Sequence, residues 1–427
     1  MLKRMRSFLV LVMLFIAVTM SAQVTTATMS GKVTAQDEPI IGATIVAVHE
    51  PSGTRYGTVT NVSGQFNLQG MRTGGLYKVE ISYVGYQTAI YKGINLLLGE
   101  NYVLNVSLKE SSELLDEVVV TASKESNMKS DRAGAIMNAN RDMINSTPTI
   151  SRSISDIMRL SPQGADVGNG FAVGGGNYRQ SFVTVDGAAF NNTFGLGGNL
   201  PANGSPISLD ALEQVTVAVT PFDVRQSGFT GGAINAVTRS GDNQFRGTVY
   251  GYFNNENLRG DRVEDYKLTR SKSQYYTYGA SFGGPIIKDK LFFFVNGEYE
   301  DNVTAGSSYQ PRTSLDQEYT GNVRRPVENT IVDGNETWVG LNDMRQYLKE
   351  KYNYDPGRYN NYSVNTPAYR IMARLDWNAN LNNKLSLRFT KTHTKDSNFP
   401  SSSTSPLSAD DIYPGDTGLG IPKGKDS

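Results

Sequence analysis

The sequence predicts a mainly β protein. Its parts are a small N-terminal β-sandwich, a glycine-rich α+β domain, and the first strands of a transmembrane antiparallel β-barrel that is incomplete within this chain. Three observations predict this. Glycine (43) and tyrosine (23) are abundant, yet only 38% of the 427 residues are hydrophobic. That balance suits exposed or membrane β-structure better than a large helical core. Short runs that alternate apolar and polar residues, the period of a half-buried strand, recur along the chain. From Phe245 onward the alternation lengthens toward the roughly 9–11 residues of a membrane-crossing strand.

Composition narrows the function. Lys+Arg is 41 and Asp+Glu is 41, so there is no whole-chain basic field and no nucleic-acid partner is expected. The absence of cysteine excludes disulfides, thiolate catalysis, Cys-based zinc sites and a lipid-modified N-terminal cysteine. The two histidines, His49 and His393, are far apart and lack neighbouring ligand types. Neither a metal site nor a Ser-His-Asp arrangement follows from them. Gly174-Gly175-Gly176 is not followed by Lys-Ser/Thr and opens no G-x-G-x-x-G helix, so it reads as a loop rather than a phosphate cradle. No catalytic residue, metal or cofactor is assigned.

The elements follow in order. Lys3, Arg4 and Arg6 precede an apolar stretch at 8–18, too short to span a bilayer, and the small-residue region Thr19-Met20-Ser21-Ala22. This is a secretory signal peptide over 1–22, with the mature chain expected to begin at Gln23. From 23 to 109, strands are predicted at 30–33, 43–48, 64–68, 77–83 and 103–108, punctuated by Gly, Pro, Asn and Asp as in a small sandwich. Residues 110–122 form a linker, yet Glu117-Val118-Val119-Val120-Thr121-Ala122 is strand-prone because β-branched residues stand in series. A strand in a linker offers unpaired backbone groups to another chain. It equally reads as the last strand of the preceding domain.

Residues 123–150 are polar and show no clear element. Ile154, Ile157 and Met158 share one face of a short helix ended by Ser161-Pro162. Three strands follow at 181–187, 212–219 and 232–238, the first closing on an Asp186-Gly187 turn. Asp186 and Asp210 read as turn and cap residues. In the last part, Leu291, Phe293, Val295 and Tyr299 alternate with Asn296, Glu298 and Glu300. Tyr369, Ile371, Ala373, Leu375 and Trp377 alternate with Arg370, Arg374, Asp376 and Asn378. Leu385, Leu387 and Phe389 alternate with Ser386, Arg388 and Thr390. One face wants apolar surroundings, as in a barrel in lipid. The alternative is a soluble sandwich whose charged face meets water. The polar stretch 301–367 suits an extracellular loop.

Two resemblances add to this reading. Gly31-Lys32-Val33, Pro39-Ile40-Ile41-Gly42-Ala43-Thr44-Ile45, Gly57-Thr58-Val59-Thr60-Asn61-Val62-Ser63-Gly64-Gln65-Phe66 and Ser82-Tyr83-Val84-Gly85-Tyr86 resemble the carboxypeptidase-regulatory-like domain. That family is a seven-stranded sandwich without catalysis of its own. The whole order resembles the TonB-dependent outer-membrane receptors, in the Oar-like and SusC-like branch with this N-terminal extension. Phe182-Val183-Thr184-Val185-Asp186-Gly187, Leu209-Asp210-Ala211-Leu212-Glu213-Gln214-Val215-Thr216-Val217 and the Gly228 to Gly241 run are similar to the family's plug.

The resemblance implies a plug domain over 123–241 with Asp186, Gly187, Gly231 and Gly232 as its motif residues. It implies the start of a barrel over 242–427, with a long extracellular loop. It makes Glu117, Val118, Val119, Val120 and Thr121 a TonB box, engaged by the TonB–ExbB–ExbD complex. It implies a non-enzymatic transporter in the cell outer membrane, in contact with outer-membrane lipid and importing an unidentified ligand. Departures exist: Gly174-Gly175-Gly176 stands where an Arg-Gly pair is common, and Thr220-Pro221-Phe222-Asp223-Val224-Arg225 where a Gly-Pro turn is. Plug-filled barrels use about 22 strands, so this chain is expected to be the N-terminal part of a longer receptor or a truncated product. The alternatives are a non-transporting surface or adhesion protein, or a non-functional fragment.

Overall fold

The structure, a computed structural model, describes residues 25–110, 118–121, 136–149, 152–167, 170–190, 200, 205–219, 231–258, 260, 262–264, 266–267, 272–305, 310–312, 323–327, 341–355, 363–381, 383–397 and 424–426. The expected signal segment, Glu117, the variant turn at 220–225, Gly228 and about half of the 301–367 loop lie outside these residues. The chain forms two compact units. One is Met1–Thr248 with Ser281–Asn296 and Ile371–Lys391; the other is Val249–Ala280, Gly297–Arg370 and Thr392–Ser427.

The first unit opens with a sandwich. Its first sheet centres on Ala27–Ala35, flanked by Gln65–Met71 and, in parallel, by Asn101–Val103 and Val106–Ser107. Its second sheet has the order Val118–Thr121, Ala89–Asn95, Leu76–Ser82, Thr44–His49, Thr54–Val59. The alternation fixes which side chains turn inward. Met29, Val33, Ile45, Phe66, Tyr77, Val79, Ile81 and Ile94 meet in one buried core. Burying each large apolar side chain stabilises the fold by about 1.5–3 kcal/mol. The strands Thr54–Val59 and Ala89–Asn95 go unmarked in the sequence because Gly57, and Lys92 with Gly93, interrupt their alternation. The expected single strand at 103–108 is two short ones, each paired to Ala27–Ala35.

The glycine-rich domain, also in the first unit, is a five-stranded sheet ordered Ile136–Asn140, Leu212–Ala218, Ala233–Thr238, Phe182–Val185, Ala188–Ala189. Helix Ile154–Met158 packs on its core with Ile154, Ile157 and Met158 fully buried, as their spacing predicts. The polar stretch 123–150 contributes the strand Ile136–Asn140 and helix Arg141–Ser146. The strand is made by its pairing with Leu212–Ala218 rather than by local pattern.

The long strands Arg246–Asn255, Ser273–Ile287, Leu291–Ala305, Ser363–Asn378 and Lys384–Ser397 are neighbours in that order in one sheet. Their pattern is the inverse of a soluble sheet. Ile371, Leu375, Trp377, Leu385, Leu387 and Phe389 are 41–69% exposed, whereas Arg370 and Arg374 are 2% and 6% exposed and Asn296, Glu298 and Glu300 are buried. Apolar residues facing out and charges facing in suit lipid outside and a polar interior. A sandwich with its charged face in water would show the opposite, so the soluble alternative is set aside. In the second unit, buried Arg370 pairs with Glu298 at 3.0 Å and Glu300 at 2.7 Å, and Tyr250 donates to Glu298. These three interior charges are thereby matched. The expected loop carries helix Leu341–Tyr352.

Candidate functional site

The linker strand is where the sequence draws most attention. Val118–Thr121 is a four-residue strand and it is already paired. It runs parallel to the sandwich strand Ala89–Asn95, with Val118 opposite Ala89, Val119 opposite Ile90, Val120 opposite Tyr91 and Thr121 opposite Lys92.

The motif residues of the glycine-rich domain come together around one hairpin and one close crossing. Asp186 and Gly187 both have positive φ, 50° and 84°, and join Phe182–Val185 to Ala188–Ala189. A two-residue hairpin needs this conformation at both positions, which Asp-Gly supplies at low cost. Gly231 donates its N–H to Gln180 O at 3.1 Å, and Gly232 O accepts from Phe182 N at 3.0 Å. A Cβ on Gly232 would stand 2.3 Å from Val173 Cγ1 and 2.9 Å from Ala218 O. Only glycine lets this backbone pass.

Asp186 is more than a turn residue. Its Oδ1 accepts from Thr238 N at 3.0 Å and its Oδ2 from the Thr238 hydroxyl. Two arginines from the barrel strands converge on it: Arg374 Nη1 at 4.0 Å and Arg388 Nε at 3.5 Å. Arg374 also donates to Thr238 O at 2.6 Å and to Asp376 Oδ2 at 2.8 Å. Asp210 makes the second such clasp. Arg141 pairs with Oδ1 at 2.9 Å, and Thr248 donates to Oδ2 at 2.7 Å while sharing a 2.6 Å hydrogen bond with Ser281. Burial alone would raise the Asp210 carboxyl, but hydrogen bonds from Ser281 and Thr248, with Arg141, hold it below its usual range. The expected capping role belongs instead to Ser208, whose hydroxyl accepts from Asp210 N. Asp210 lies two residues on, within the first turn, and its carboxylate meets Arg141 and the Thr248 hydroxyl. The sequence marks both aspartates but not their partners: Arg388 is 202 positions from Asp186.

The sandwich is fixed to the same unit by polar contacts. Arg72 donates to Gly241 O at 3.0 Å, Leu98 N to Gln214 Oε1 at 3.2 Å, and Asn378 Nδ2 to Thr54 Oγ1 at 2.9 Å. From Thr54 a hydrogen-bond chain continues through Ser52 to His49 Nδ1, and His49 Nε2 meets Gly74 O at 2.7 Å. A carbonyl can only accept, so His49 carries its proton on Nε2 and is neutral. Burial, with Arg72 nearby, lowers its pKa to about 3.

Comparison with known proteins fits this architecture. An outer-membrane β-barrel domain family matches residues 237–418, and the carboxypeptidase regulatory-like domain matches 28–109. The TonB-dependent transporter Oar of Myxococcus xanthus is 32% identical over 151 residues, 34% of this chain and 14% of that protein. The TonB-dependent receptor SusC of Bacteroides thetaiotaomicron is 29% identical over 221 residues, 48% of this chain and 20% of that protein. The crystal structure of the siderophore receptor PirA from Acinetobacter baumannii has a TM-score of 0.41 and 17% identity, covering 62% of this chain and 32% of that one. The chain is similar to the TonB-dependent outer-membrane receptors and carries matches to an outer-membrane β-barrel domain and a carboxypeptidase regulatory-like domain, which indicate the cell outer membrane. It spans 14% and 20% of the two curated relatives' lengths.

Proposed function

We propose that this chain is the N-terminal portion of a TonB-dependent transporter that imports an unidentified ligand. Residues 23–109 are its periplasmic sandwich, 123–241 its plug, and 242–427 the start of its barrel. Glu117, Val118, Val119, Val120 and Thr121 are its TonB box, taken up by the TonB–ExbB–ExbD complex through strand addition. The chain has no enzymatic role in this scheme.

One observation carries the reading: a β-branched edge strand, Val118–Thr121, comes in chain order after the other sandwich strands and before a plug clasped to barrel strands through Asp186 and Asp210. A pull on that strand is directed toward the first plug strand, Ile136–Asn140. Backbone pairing supplies the grip, and alternate side chains the specificity. The test is binding of the periplasmic domain of TonB to the detergent-solubilised receptor. The wild type is expected to bind. Val119→Pro, which removes a ladder donor, is expected to bind at least tenfold more weakly. Equal binding by the two contradicts the box assignment.

A further inference from the structure

Strand addition is the mode by which the coupling strand would grip its external partner, and the same mode holds it inside the chain. Val118–Thr121 lies beside Ala89–Lys92 over four register pairs. On its other side, Ala89–Asn95 is zipped to Leu76–Ser82, with Val79 opposite Tyr91 and Ile81 opposite Ala89. The docking edge therefore belongs to a strand rooted in the sandwich core, where Ile90 and Ile94 are 2% and 1% exposed. The chain leaves the sandwich close to this edge: Gln87 N donates to Lys109 O at 2.9 Å, and Tyr86 bridges Glu110. Only seven residues of sequence, 111–117, separate Glu110 from Val118. Short tethers give an internal strand an effective concentration in the millimolar range, so the sandwich edge is a strong competitor for this strand.

Resting on the reading of these residues as the coupling strand, we infer that the sandwich is a latch. Its Ala89–Lys92 edge stores Val118–Thr121, and the undocked strand is the form that the external partner takes. While the strand is docked, a pull on it loads the sandwich ladder. Once undocked, it hands the pull to Ile136–Asn140 and the plug. The partner's apparent affinity is then scaled by the undocked fraction, and any ligand or contact that loosens the sandwich edge raises coupling. This gives the regulatory-like domain a task in coupling.

The natural absence of cysteine makes the test clean. Lys92→Cys with Thr121→Cys places two thiols at one register pair, and Lys92 is exposed, so the fold tolerates the change. Lys92→Cys with Val119→Cys is the out-of-register control. In the solubilised receptor, the register pair is expected to oxidise at least tenfold faster than the control. The periplasmic domain of TonB is expected to bind the oxidised form at least tenfold more weakly than the same variant after reduction. Oxidation without register preference overturns the docking. Equal binding by both forms means that the partner adds to the strand's outer edge, and overturns the latch alone. Register-specific oxidation with no binding by the reduced variant or the wild type overturns the coupling-strand reading, and leaves Val118–Thr121 as the last strand of the sandwich.

Discussion

His49 shows how one buried side chain ties stability to pH. Folded, it is 4% exposed and neutral, with a pKa of about 3 against 6.5 in its free state. Its contribution is complete above pH 6.5 and is lost as pH falls toward 3, because the unfolded chain gains the proton first. The loss is on the order of 5 kcal/mol. Hydrogen exchange in Thr44–His49 should therefore accelerate across that window, and His49→Gln should flatten the dependence. Asp186 makes a different prediction. Asp186→Asn leaves Arg374 and Arg388 facing an uncharged amide, a loss of about 3–5 kcal/mol for a buried pair. The amides of Phe182–Val185 and Ala233–Thr238 should lose protection before the rest of the sheet does. A stability unchanged from the wild type would remove the clasp. Locally, the sequence reveals Asp186-Gly187 as a turn, because two positive-φ residues are a short-range requirement. It cannot reveal Arg374 and Arg388 as partners, since their meeting with Asp186 depends on strand register across the chain.

At the scale of elements, legibility follows the range of the forces involved. Helix Ile154–Met158 is readable because three apolar residues at i, i+3 and i+4 suffice to define its buried face. Ile136–Asn140 is not, since Asn138 and Asn140 mask the pattern and its pairing with Leu212–Ala218 creates it. Val118–Thr121 is readable as a strand, and its pairing with Ala89–Asn95 fits the reading of it as the last strand of the preceding domain, although the sequence does not name the strand it pairs with. The glycines of the plug crossing act at this scale too. Gly232→Val drives a branched side chain into Val173 and the Ala218 carbonyl, with an expected cost of about 2–3 kcal/mol from overpacking, measurable as a lower urea midpoint. The alternating strands predict a labelling pattern in membranes. Single cysteines at Ile371, Leu375 and Leu387 should react with a lipid-phase reagent, and those at Arg370 and Arg374 should not. Uniform labelling from water would contradict the inside-out sheet.

Across the molecule, three modules share one logic. The sandwich holds a strand, the strand leads to a plug, and two aspartates of that plug are clasped by groups on the barrel strands. Among the described residues, Arg370 is matched by Glu298 and Glu300, and the two aspartates are held by named ion pairs and hydrogen bonds. The composition foreshadows this plan: zero net charge, many glycines for close backbone passage, and apolar residues spent on lipid-facing positions as much as on a core. The most direct measurement is disulfide trapping in living cells between Val119→Cys and a cysteine placed on the edge strand of TonB's periplasmic domain. A cross-link at this position, lost when Val120→Pro is added, is the predicted result. No cross-link in cells whose other TonB-dependent receptors do trap would contradict the account.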